Sequence, residues 1–162
     1  MFKVGIITAS DKGFAGERED KSGAIIGEIV QAKGYKVDRK IIVPDEEDQI
    51  IREIKYMADE LGLDLILTTG GTGFGPRDVT PEATIKVCDR MANGIAEAIR
   101  YYSLSITPRA MLSRAVSGIR GETLIINLPG GPKAVKEALD YILDSVDHGL
   151  EILTDKAHNC AR

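Results

Sequence analysis

The residues best suited to chemistry stand in one run: Thr68-Thr69-Gly70-Gly71-Thr72-Gly73-Phe74-Gly75-Pro76-Arg77-Asp78-Val79-Thr80-Pro81. Its glycines let the backbone approach a ligand closely and take positive φ. Their N–H groups can cradle a phosphate, aided by the positive end of a helix opening near Pro81. Thr69, Thr72 and Thr80 add hydroxyls, and Arg77 adds a fixed positive charge. Asp78 would repel a phosphate unless a cation neutralises it, which a magnesium ion shared with phosphate oxygens would do. A glycine-rich turn with a helix cap is the plain alternative; Thr, Arg and Asp together in one loop favour a binding site. The run has no Gly-Lys-Ser/Thr ending of a phosphate-binding Walker loop, and no Gly-x-Gly-x-x-Gly follows the first strand. Both absences argue against a dinucleotide-binding enzyme of the Rossmann type.

Four further segments carry unusual residues. Asn127-Leu128-Pro129-Gly130-Gly131-Pro132-Lys133 exposes free N–H groups at a helix start beside a lysine, which suits an anion or a nucleotide edge, or simply a tight turn. In Pro44-Asp45-Glu46-Glu47-Asp48 the last three acids suit the first turn of a helix. Asp45, nearest the preceding strand, is then the one to face a crevice. Thr8-Ala9-Ser10-Asp11 could supply hydroxyls, Ser10 among them, and Ser113-Arg114 precedes a hairpin; neither stands on its own. No Ser–His–Asp or Cys–His set is supported. His158-Asn159-Cys160 offers too few ligands for a structural zinc, and Cys88 reads as a small buried helix residue.

These segments need strands and helices to position them. Phe2–Thr8 and Leu63–Thr68 are apolar runs of the kind buried on both faces of a parallel sheet. Tyr35–Val43 alternates weakly and ends at Pro44, a further strand. The polar stretch Ser10–Ser22 reads as a surface loop. Helical stripes follow at Ile25–Val30 and Ile50–Leu61, closed by Gly34 and Gly62. Thr80 is placed as an N-cap with Pro81 at the first helical position, and Gly94–Leu104 as another helix. Val116–Ile119 and Thr123–Asn127 flank Arg120-Gly121 as a hairpin, and a last helix runs from Pro132 to Leu153. Strands alternating with helices predict an α/β fold: a mainly parallel sheet between helical layers, with one antiparallel addition. The four loops sit where strands end, and ligands bind beyond the carboxyl ends of such strands.

Composition sets the outer limits. The chain has 162 residues, 43% hydrophobic and 28% charged, which fits one ordinary globular domain over 1–162 with a tail from about residue 154. Its 17 glycines are an excess over the usual share. A net charge of −4 gives no general attraction for nucleic acid, and no apolar run is long enough to span a membrane. Two cysteines and no secretory leader lead to the expectation of a reduced, cytoplasmic protein.

Taken together, Gly70-Gly71-Thr72-Gly73, Arg77-Asp78-Val79-Thr80-Pro81, Pro44-Asp45, Leu112-Ser113-Arg114 and Asn127-Leu128-Pro129-Gly130 resemble the molybdenum-cofactor biosynthesis proteins, specifically the molybdopterin adenylyltransferases and their MoaB-type relatives. The resemblance runs from Val4 to about Leu153. It implies a three-layer α/β/α domain, usually a homotrimer. It also implies a reaction in which molybdopterin and ATP give adenylylated molybdopterin and pyrophosphate with Mg2+, for hand-over to a molybdate-insertion protein. On this resemblance Asp45 and Asp78 are catalytic and metal-binding. The resemblance also implies that the glycine-rich loop (Gly70, Gly71, Thr72, Gly73, Arg77, Thr80), Ser113 and the loop of Asn127, Pro129 and Gly130 line the pterin and nucleotide pocket, to which the reading of the loops adds Ser10, Gly131 and Lys133 as expected members. A MoaB-type pterin-binding protein without transferase activity is the alternative. The chain departs from the family where Gly94-Ile95-Ala96 replaces a frequent Gly-Phe-Gly, a change that bears on the pocket rim or the subunit contact.

Overall fold

The computed structural model describes residues 1–155; the His158-Asn159-Cys160 segment lies outside them. The elements run β1 (Lys3–Ala9), α1 (Asp11–Phe14), α2 (Lys21–Ala32), β2 (Lys36–Val43), α3 (Glu47–Lys55), β3 (Leu65–Thr69), α4 (Thr80–Val87), β4 (Arg90–Met91), α5 (Asn93–Leu104), β5 (Ser117–Arg120), β6 (Thr123–Leu128) and α6 (Pro132–Leu153). A π turn, Tyr56–Glu60, extends α3, and a 3-10 turn, Pro108–Leu112, follows α5.

The six strands form one sheet in the order β2-β1-β3-β6-β5-β4. β2, β1, β3 and β6 are mutually parallel. β5 returns antiparallel to β6 through the expected hairpin, with Arg120 opposite Thr123. β4 then pairs antiparallel with β5. Period-2 alternation sends side chains of each central strand to opposite faces. Leu65 and Leu67 join Val4, Ile6, Leu124 and Ile126 in a core under α2, α5 and α6, while Ile66, Ile7 and Ile125 enter a second core under α3 and α4. The result is the three-layer α/β/α sandwich. Fully burying each such Ile or Leu stabilises the fold by about 1.5–3 kcal/mol.

Two local expectations need correction. Ser10–Ser22 is not all loop: Ser10 caps the single turn α1 by accepting from the Gly13 N–H, and Asp20 caps α2 by accepting from the Gly23 N–H. Thr80 is not the N-cap of α4. Val79 holds that place at φ −125°, and Thr80 is already helical. Its hydroxyl is buried with no hydrogen-bond partner.

Candidate nucleotide and pterin site

The chain leaves β1 toward β2 on one side and reaches β3 on the other, so the sheet order reverses at β1/β3. A crevice opens at such a switch point, beyond the strand ends. Here it is a cleft of about 790 Å3 lined by Thr8, Ser10, Asp20, Asp45, Gly70 and Asp78, with Gly71, Gly130 and Gly131 also on its wall.

Short hydrogen bonds tie its loops together. The Asp11 N–H donates to Asp45 Oδ2 and the Asp45 N–H donates to Asp11 Oδ1, each at 3.0 Å. Thr69 Oγ1 donates to the Pro129 carbonyl, and Ser22 Oγ donates to the Gly130 carbonyl, each at 2.6 Å. Two glycines let the central loop fold over the sheet edge. Gly70 (φ +89°) lies against the Ala9 carbonyl, with which a Cβ would collide, and Gly71 (φ +70°) lies against Thr80 Oγ1 and Asp45 Oδ1.

That last neighbourhood is the informative one. Asp45 Oδ1 and Thr80 Oγ1 are both buried without hydrogen-bond partners. Burial pushes the Asp45 carboxyl above the usual range, and the negative charges of Asp11 and Asp78 add to the effect, against the pull of the Asp11 N–H. Unsatisfied buried oxygens are costly, and each calls for a bound ion, a water or a catalytic role. Among the described residues no group of three or more His, Cys, Asp or Glu could hold a metal alone. Two carboxylates plus phosphate oxygens, the usual way Mg2+ is held, fit this donor set.

Other expected residues are placed differently. Arg77 does not reach into the cleft. Its guanidinium grips Asp11 at 2.6 and 3.1 Å and Glu46 at 2.8 Å, joining the loops after β1, β2 and β3 from outside. The Asn127 side chain is fully buried beneath the loops: Nδ2 donates to Thr68 Oγ1 and Thr84 Oγ1, and Oδ1 accepts from the Val116 N–H. Lys133 is exposed on the first turn of α6. Thr72, Ser113 and Pro129 line a second, smaller cavity of about 250 Å3, with Arg100 and Arg109; Gly130 borders both spaces. Gly73 lies against the Asp78 carboxylate.

One contributor escaped the sequence reading, and another, Arg114, carries a role that its motif does not show. Asp20 accepts from Thr8 Oγ1 at 2.9 Å inside the cleft. Its signal was an acid one residue before a helix start. Arg114 donates to three acceptors on the glycine loop and α4, and only the fold shows this. Cys88 is half-buried, and burial pushes its thiol up to about 11, which leaves it a poor nucleophile at neutral pH.

A switch-point cleft lined by two glycine-rich loops and by Asp45 and Asp78 places the chain among the α/β proteins whose ligand crevice lies beyond the strand ends. Residues 5–148 match the family described as a probable molybdopterin binding domain. The chain is 42% identical over 154 residues to a molybdopterin adenylyltransferase of Helicobacter pylori, covering 93% of this chain and 86% of that one. It is 39% identical over 155 residues to the molybdopterin adenylyltransferase of Escherichia coli K12, covering 91% and 79%. Among solved structures, the molybdopterin biosynthesis enzyme MoaB from Thermus thermophilus superposes with a TM-score of 0.91 at 49% identity, covering 96% of this chain and 98% of that one. The chain belongs to the molybdopterin-binding-domain family of molybdenum-cofactor biosynthesis proteins.

Proposed function

We propose that this chain is a molybdopterin adenylyltransferase, carrying AMP from ATP to the terminal phosphate of molybdopterin with release of pyrophosphate. The observation that carries the reading is the unpartnered Asp45 oxygen in a cleft that Asp78 and two glycine-rich loops also line, in a chain whose relatives bear that activity's name.

The chemistry asks little of side-chain bases. A phosphate monoester has a second pKa near 6, so the attacking molybdopterin phosphate is largely dianionic at pH 7. Its oxygen forms the new bond to the ATP α-phosphorus as the bond to the bridging oxygen breaks and pyrophosphate leaves. The protein's tasks are to bring two anions together and to stabilise charge at the α-phosphate and the leaving group. The backbone of the Gly70–Gly71 and Gly130–Gly131 loops lines the cleft and suits the phosphates, and Asp45 and Asp78 would hold Mg2+. Bound there, Mg2+ supplies charge neutralisation between the carboxylates and the polyphosphate. Ser113 and Thr72 place polar groups in the smaller cavity that adjoins the cleft through Gly130.

The same reading includes a cytoplasmic homotrimer that passes its product to a molybdate-insertion protein. Self-association is supported by exposed apolar side chains close together in sequence: Tyr101, Leu104, Ile106, Met111 and Leu112. The test is purified protein with molybdopterin, ATP and Mg2+, followed by pyrophosphate release. Binding of molybdopterin with no pyrophosphate would assign the chain to the MoaB-type binding alternative.

A further inference from the structure

Arg114 sits outside the large cleft, yet its side chain makes three hydrogen bonds to the glycine loop and α4. Its Nε donates to the Gly73 carbonyl at 2.7 Å, one terminal nitrogen donates to the Asp78 carbonyl at 2.7 Å, and the other donates to Glu82 Oε2 at 2.7 Å. Its own N–H donates to the Thr72 carbonyl at 2.8 Å. The residue thus spans the loop from entry to exit and anchors it to the first turn of α4. The flanking segment is braced in turn: Arg100 on α5 donates to the carbonyls of Ser113 and Ala115. Between the gripped points the loop closes on itself, with the Gly75 N–H donating to Asp78 Oδ2 and the Asp78 N–H to the Gly75 carbonyl.

A loop with four glycines in six residues has little stiffness of its own. A planar guanidinium with five fixed donors can hold two carbonyls and a carboxylate at once; an ammonium cannot match that geometry. We infer that Arg114 is the positioning residue that holds Asp78 in register with Asp45, so that the two carboxylates can take one cation together with nucleotide phosphates. This rests on the nucleotide-binding reading above.

The test compares the full chain with Arg114→Met, Arg114→Lys and Glu82→Gln. Hydrogen exchange at the Gly75 and Asp78 amides, which needs no substrate, should speed up about tenfold in Arg114→Met while β3 and β6 stay protected. Calorimetric Mg2+ affinity in the presence of α,β-methylene-ATP should fall about tenfold in parallel. Glu82→Gln keeps both carbonyl contacts and should change neither by more than about twofold. Unchanged loop exchange and unchanged Mg2+ affinity in Arg114→Met overturns the assignment. Should that variant not fold, Arg114→Lys with both quantities at wild-type level overturns it equally, and a loss of both supports it. Pyrophosphate release is read separately: a wild-type chain that binds Mg2+ and nucleotide but makes no pyrophosphate fails the transfer reading, while these exchange and affinity shifts still decide Arg114.

Discussion

Asp45 gives up stability at the position where the proposed chemistry needs charge. One of its oxygens accepts from the Asp11 N–H, and the other is buried unpartnered beside Thr80 Oγ1. Its pKa in the fold is raised, first by burial. Protonation therefore favours the folded state. The benefit is full below the ordinary carboxylate range and is lost as pH rises through the raised value, so at pH 7 the ionised group is a burden. Asp45→Asn keeps an acceptor for the Asp11 N–H and gains a donor for Thr80. It should raise the melting temperature at pH 7 by about 2 °C, an advantage that shrinks in thermal melts near pH 4, and it should abolish Mg2+-dependent transfer. Asp78→Asn tests the partner carboxylate: molybdopterin binding persists while adenylyl transfer falls about 100-fold, and equal turnover in a pyrophosphate assay would remove Asp78 from the reaction. Residues at this scale were partly legible. Asp45 was found because it follows a strand end and its acidic neighbours had a helix turn to serve. Asn127 was read as a ligand for the same reason, but its phase in β6 points the amide inward to Thr68 and Thr84. Which face a strand residue takes is fixed by register across the sheet, and one strand cannot announce it.

The decisive element is the loop between β3 and α4, which depends on backbone conformations open to glycine. Gly70→Ala places a methyl group against the Ala9 carbonyl at φ +89°. It should cost about 3 kcal/mol by urea denaturation. Gly16→Ala, at φ +78° with open space around it, should cost only about 1 kcal/mol for the same handedness. Equal losses at both positions would mean that close packing of the loop on β1 does not matter. The central strands were plain in the sequence because Leu65-Ile66-Leu67 and Val4–Ile7 are buried on both faces and need no alternation. β4 was not seen. Two exposed residues, Arg90 and Met91, carry no periodicity and become a strand only by pairing with Ile119 and Gly118. α1 was missed because Gly13 and Gly16 read as breakers, although its Ser10 cap was present. Arg77 was read as a phosphate ligand from its place in the loop; its carboxylate partners, Asp11 and Glu46, lie far off in sequence and meet it only in the fold.

At the scale of the whole molecule, four parallel strands end in one crevice and the antiparallel pair closes the sheet on the far side. The apolar stretch between residues 101 and 112 borders the smaller cavity through Ser103, Thr107, Arg109 and Ala110. The proposed trimer would cover that stretch and help enclose the cavity. Met111→Glu should then shift sedimentation equilibrium from three times 17.5 kDa toward the single chain, and a wild-type chain sedimenting at 17.5 kDa would contradict the trimer. The glycine excess, unusual as composition, becomes intelligible here: Gly70, Gly71, Gly130 and Gly131 line the cleft, and the proposed transfer asks for few catalytic side chains. Adenylyl transfer is tested by the pyrophosphate that purified protein releases when supplied with molybdopterin, ATP and Mg2+. One pyrophosphate is expected for each adenylylated molybdopterin, with none when either substrate or Mg2+ is withheld; saturated molybdopterin binding without pyrophosphate would contradict adenylyl transfer.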